Sequence, residues 1–153
     1  MSYVKIKFIL DQDEDGYPPF DSENIWAVEL SENEYRIDNI PFFTKYATYG
    51  DIVDVECRDG IPFFSRVVRY SGSSLIRIKF FDESVVNATL DSLVQLGCET
   101  EVNDDIPTLV AVNVPSSVNF ERVMGLLVDG AARESWDYEE ALVWDKHQPE
   151  SQT

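Results

Sequence analysis

One histidine and two cysteines in 153 residues leave little room for imidazole or metal chemistry. His147 lies near the C-terminus, and Cys57 and Cys98 stand far apart, so no tetrahedral zinc set exists at any usual spacing. A nucleophilic triad is no better supplied, because the hydroxyls of Ser71-Gly72-Ser73-Ser74 lack the spacing of a nucleophile elbow. No glycine-rich loop opens a helix and no Walker lysine follows one, which removes the usual phosphate cradles. No apolar run approaches the roughly 18 residues that a membrane span requires. Basic side chains are scarce too, 12 against 29 acidic ones, for a formal net charge of −17. So acidic a surface repels phosphate backbones and anionic lipid. It argues against nucleic acid or membrane as a direct partner, and for cations or a basic protein.

What the chain does contain is core. Hydrophobic residues make up 44% of it, which excludes a wholly disordered polymer. The N-terminal Met1-Ser2-Tyr3-Val4-Lys5-Ile6-Lys7 has no apolar h-region and reads as a strand, so a cytoplasmic location with two buried, free thiols is expected. Val4, Ile6, Phe8 and Leu10 alternate with polar residues over 3–10, the period of a half-buried strand. Further strands are predicted over 25–30, 34–38, 51–57, 62–70 and 74–81, separated by turns such as Arg58-Asp59-Gly60. Short strands at that spacing predict a small antiparallel β-barrel or strongly curved sheet over 1–73.

Beyond Phe81 the period changes. Asp82 is placed to cap a helix over about 83–96, with Val86, Leu90, Leu93 and Val94 on one stripe and Gly97 as its stop. Strands are predicted near 98–103 and 108–114. Asn119 then caps a second helix carrying Phe120, Val123, Met124, Leu127 and Val128, which Gly130 ends. A last strand is predicted over about 138–144, before a polar tail, 147–153. Counted from 74, the order β-α-β-β-α-β is that of a ferredoxin-like half, 74–146. The whole is expected to be one α+β body.

The acidic loop Asp11-Gln12-Asp13-Glu14-Asp15-Gly16 copies the start of an EF-hand loop, but Pro18 and Ser22 stand at its positions eight and twelve, and a strand precedes it. No metal site or cofactor is expected. Glu139 and Glu140 are neighbours on a predicted strand and point to opposite faces, so they do not form an acid–base pair.

The residues Asp15-Gly16-Tyr17-Pro18-Pro19, Trp26-Ala27, Tyr35 to Phe43, Tyr49 to Val53, Ser71 to Ile78, Leu96-Gly97-Cys98 and Trp136 to Glu140 together resemble a bacterial family catalogued as a domain of unknown function, number 4265 in that series. The Tyr35-Arg36-Ile37-Asp38-Asn39-Ile40-Pro41-Phe42-Phe43 block is the most specific of these. The resemblance implies a shared fold and almost nothing about activity. The family pattern has His where this chain has Ser73, so chemistry resting on that imidazole would be absent here. Asp38 to Pro41 and Tyr49 to Asp51 read as side-chain-bonded turns, with an ion pair among Arg36, Asp38 and Asp51.

Charge is divided unevenly. Residues 1–80 hold 14 acidic and 9 basic side chains, net −5, whereas 81–153 hold 15 and 3, net −12. Small, very acidic and chemically bare is the profile of an immunity protein, which covers a basic toxin, for instance a nuclease, by electrostatic steering and docking. The expected partner-binding residues are Asp104, Asp105, Asp129, Glu134, Trp136, Asp137, Glu139 and Glu140. Two other readings stand beside it: a regulatory or small-ligand-sensing module, and an enzyme using Tyr17, Tyr35, Tyr49, Asp38 and Asp51. Homo-oligomerisation is left open.

Overall fold

Alternating side chains and tight turns build the first 71 residues into a single mostly antiparallel sheet. The computed structural model describes residues 2–147. In it, β1 (Tyr3–Ile9) and β2 (Ser22–Ser31) pair over seven residues, from Tyr3 opposite Val28 to Ile9 opposite Ser22. There follow β3 (Glu34–Ile37), β4 (Ile52–Arg58) and β5 (Ile61–Arg69), each antiparallel to the one before. Ile6, Phe8, Ile25, Ala27, Ile37, Val53 and Val55 point inward, and Phe8 stacks on Phe64 at 4.6 Å.

The sheet curls until its ends meet, but β1 and β5 join through one parallel bridge, Lys7 opposite Phe63. The reason is parity. Five strands laid alternately up and down leave the first and last running the same way, and a parallel pair forms weaker, slanted hydrogen bonds. Of the two forms expected from strand spacing, a small barrel or a strongly curved sheet, the second is what forms, with a narrow seam.

The second unit begins at Gly72. Its elements are β6 (Ser74–Phe80), α1 (Val86–Gln95), β7 (Glu99–Val102), β8 (Leu109–Val114), α2 (Phe120–Ala132) and β9 (Trp136–Leu142). They form an antiparallel sheet in the order β7-β8-β6-β9 and two helices. Ile76, Ile78 and Phe80 of β6, with Val110, Val112 and Val114 of β8, pack against Leu93 of α1 and Val123 and Leu127 of α2.

Several local expectations are corrected. The first helix starts as a single 3-10 turn, Glu83–Val85, and Asp82 caps that turn by accepting the Ser84 N–H. Val94 and Val128, placed at the margin of each apolar stripe, are exposed. Gly130 does not end α2, which runs on to Ala132. The last strand starts at Trp136, two residues earlier than predicted. Both thiols are free, but only Cys98 is buried, and burial, with Glu99 beside it, pushes its pKa up to about 11. His147, assigned to the polar tail, is buried; the rest of that tail lies outside the described residues.

Candidate functional site: an acidic end of the second sheet

Strand β6 ends at Phe80 and Phe81 follows it directly, and the two side chains point to opposite sides. Phe80 enters the core, edge-on to Trp136 at 5.4 Å. Phe81, one residue on, is 60% exposed. Backbone hydrogen bonds tie this point to two other segments. Phe80 N–H donates to Thr108 O (2.8 Å), while Phe81 and Asp82 N–H both donate to Ser135 O (2.9 and 3.2 Å). Lys79 Nζ reaches Thr108 Oγ1 at 2.8 Å. Residues 79–83, 103–108 and 133–137 therefore converge at one end of the sheet.

The convergence puts several carboxylates at the same end of the sheet as Phe81. Asp104 and Asp105 lie in the β7–β8 turn, shaped by Asn103 Oδ1, which accepts the N–H groups of Asp105 and Ile106 at 2.9 Å each. Glu134 follows α2 in the left-handed region, φ 60°. Asp137, the second residue of β9, lies opposite Lys79. All four are exposed. Asp82 and Glu83 join them, and neither was foreseen as a contact residue. The Ser84 hydroxyl and backbone N–H hold the Asp82 carboxyl below the usual carboxylate range, so it stays ionised.

The other expected contact residues fall elsewhere. Asp129 lies in the last turns of α2 and pairs with Arg133 at 3.1 Å. Glu139 points at the buried Arg77 of β6, 3.0 Å away, so its charge is partly neutralised within the sheet. Glu140 is exposed farther along β9. Trp136 is a correction: only 2% exposed, it donates from Nε1 to Leu127 O (3.0 Å) and offers a partner nothing. The exposed aromatic side chain at this end of the sheet is Phe81, not Trp136. Its signal was the inside–outside alternation of Phe80 and Phe81 at the end of a strand.

Three groups bear on catalysis. Ser74 Oγ lies 2.6 Å from His147 Nδ1, a contact not anticipated for an imidazole assigned to the tail. Both residues are buried, the same Oγ accepts Trp144 N–H at 2.9 Å, and the imidazole stacks on Phe120 at 4.9 Å. That arrangement ties residues 144–147 to β6, with both the hydroxyl and the imidazole largely out of reach of solvent. Asp51 is buried in the first unit, which raises its pKa, while backbone N–H groups of Ser71 (2.8 Å) and Thr48 (3.0 Å) oppose the rise. Those amides stand in for the ion pair expected with Arg36 and Asp38, and Asp51 works as a turn organiser.

The acidic loop is likewise organised by its own backbone. Asp13 Oδ1 accepts the N–H groups of Asp15 and Tyr17 at 2.9 Å each, and the Asp11 carboxylate takes the Tyr46 hydroxyl. Among the described residues, no three His, Cys, Asp or Glu side chains group to hold a metal ion. Among the same residues, no helix is long and apolar enough to cross a membrane.

The model of a family described as domain of unknown function DUF4265 matches residues 23–138. A crystal structure of a hypothetical protein from Neisseria gonorrhoeae is similar in fold, with a TM-score of 0.79 at 21% identity. The similarity covers 92% of this chain and 96% of that one. No curated protein matches.

Proposed function

The chain belongs to the family described as domain of unknown function DUF4265, and from that premise we propose that it is a non-enzymatic binding protein that neutralises a basic protein. An immunity protein covering a cationic toxin, such as a nuclease, fits the profile, acting in the cytoplasm. The observation that carries this reading is the end of the second sheet, which exposed Phe81 shares with the exposed Asp82, Glu83, Asp104, Asp105, Glu134 and Asp137. An apolar side chain within a field of one sign combines what binding a basic surface needs: buried area for affinity, and charge for steering and register. The net charge of −17 supports steering at long range.

The reading requires a neighbouring gene that encodes a basic toxin-like domain, and the test is co-expression with that domain. Rescue of growth is expected, with an association rate that falls at least about tenfold between roughly 0.05 and 1 M salt. Absence of rescue, an association as fast at high salt as at low, or turnover by the purified chain would each defeat the proposal.

A second reading, a regulatory or small-ligand-sensing module, draws on one observation. The order β7-β8-β6-β9 with β-α-β-β-α-β connectivity is that of a ferredoxin-like split βαβ unit. We read the second unit as that fold.

A further inference from the structure

The outward face of the first unit carries a second recognition feature, chemically unlike the acidic end of the sheet. Tyr3, Lys5 and Trp26 share that face, because Lys5 is opposite Trp26 and Tyr3 is opposite Val28, two residues along β2. The chain returns beside Trp26 after β3. Asp38 N–H donates to Trp26 O (2.8 Å), and Asn39 Oδ1 accepts Trp26 N–H (2.7 Å). These bonds fix a hollow of about 420 Å³ lined by Tyr3, Trp26, Asp38 and Asn39. Its two aromatic walls stand in water, Tyr3 61% and Trp26 44% exposed.

Such rings would ordinarily be covered, and an aromatic face beside a carboxylate is the chemistry that holds an organic cation. The molecule itself shows the preference: Lys5 Nζ, which does not line the hollow, sits 4.9 Å from the centroid of the Trp26 ring. We infer that the Tyr3–Trp26–Asp38 hollow is a binding site for an arginine side chain of a basic polypeptide. A guanidinium suits it better than an ammonium, because its plane stacks on indole while its edge forms paired hydrogen bonds to the Asp38 carboxylate. Lys5 is then an internal competitor for the ring. Charge complementarity between a chain of net −17 and a basic segment selects the occupant. The site does not rest on the acidic end of the second unit, and the two stand or fall separately.

The probe is an acetylated, amidated hexapeptide of alternating glycine and arginine, titrated into the full chain and read by amide and indole N–H resonances. The Trp26 indole and the Asn39 amide should shift saturably. The citrulline peptide, isosteric but neutral, should leave them unmoved. Trp26→Leu and Asp38→Asn should each weaken binding, read at Asn39, by about 2- to 5-fold, the size of an exposed cation–π or surface ion-pair contact. Lys5→Ala should strengthen it about twofold by removing the competitor. Equal shifts with citrulline, or an affinity unchanged in both Trp26→Leu and Asp38→Asn, would overturn the site. In the second case the peptide would be held diffusely by net charge. Asp38→Asn keeps the size and shape of the turn, so its result holds even if Trp26→Leu perturbs the strand.

Discussion

A Cβ atom added to Gly130 would overlap the six-membered ring of Trp136, whereas one added to Gly125, in the same helix, would meet nothing within 4 Å. The same substitution should therefore act with opposite sign at the two positions. Gly125→Ala removes backbone freedom from a helix interior and should stabilise the fold by about 0.5–1 kcal/mol. Gly130→Ala should destabilise it by about 1–3 kcal/mol or more, because the buried indole has no room to yield and would lose its hydrogen bond to Leu127 O. Urea titrations of the two variants decide the matter; matching signs would mean that Trp136 is not wedged against the helix. His147 allows a second test at this scale. Burial against Phe120 and Trp144 lowers its pKa from 6.5, a shift that the carbonyls of Ser116 and Pro115 only partly oppose. A depressed folded-state pKa means that the neutral imidazole's contribution is present above pH 6.5 and lost as pH falls through the folded value. His147 is the only histidine, so wild type should lose stability relative to His147→Gln as pH drops from about 7.5 to 5.5. A difference independent of pH would show that the ring titrates normally in the folded state.

At the scale of elements, helix α2 hangs on one cap. Asn119 Oδ1 accepts the Arg122 N–H at 3.3 Å in the extended conformation that such caps need. Asn119→Ala should cost about 1 kcal/mol in denaturant unfolding, and Asn119→Asp should restore most of it. A cost below a few tenths of a kcal/mol for the alanine variant would assign the helix end to tertiary packing. This cap was legible in the sequence, as were most strands, since period-two alternation and capping residues are local signals. The stop at Gly97 was equally legible, and its φ of +103° is one that other residues rarely adopt. What escaped was long-range. The two roles of Gly130, helix stop or space for an indole, look alike in sequence, and only the proximity of Trp136 separates them. Because Trp136 sits among acids, its segment read as surface and the strand was started too late. Val94 and Val128 failed for a related reason: the apolar stripe of each helix is wider than the face its neighbours cover. Curling of the first sheet was legible from strand count and turn spacing; the parallel seam follows from five being odd.

The acidic end is a property of the whole molecule, because no stretch of sequence contains it. Asp82, Asp104, Glu134 and Asp137 are spread over 56 positions and meet only because β6 lies between β8 and β9 in the sheet. Of the residues at this end, Asp104, Asp105, Glu134 and Asp137 were among those expected from the sequence, whereas Phe81, Asp82 and Glu83 were not. Charge and ring should separate kinetically in binding to a basic partner. Reversing Asp82, Glu83, Asp104 and Asp105 to lysine removes steering, and at low salt should slow association by about 100-fold while changing dissociation far less. Phe81→Ala leaves the field intact and removes the apolar contact. It should speed dissociation by roughly 30-fold, the size of an interface hot spot, with association within about a factor of three of wild type. The measurement is surface plasmon resonance against the purified partner at two salt concentrations. Trp136→Phe belongs in the same series, because a core residue should alter thermal stability and leave both rate constants alone. A wild-type dissociation rate in Phe81→Ala would remove Phe81 from the interface. Unchanged association in the lysine variant would show that steering comes from the other acidic side chains and that docking occurs elsewhere.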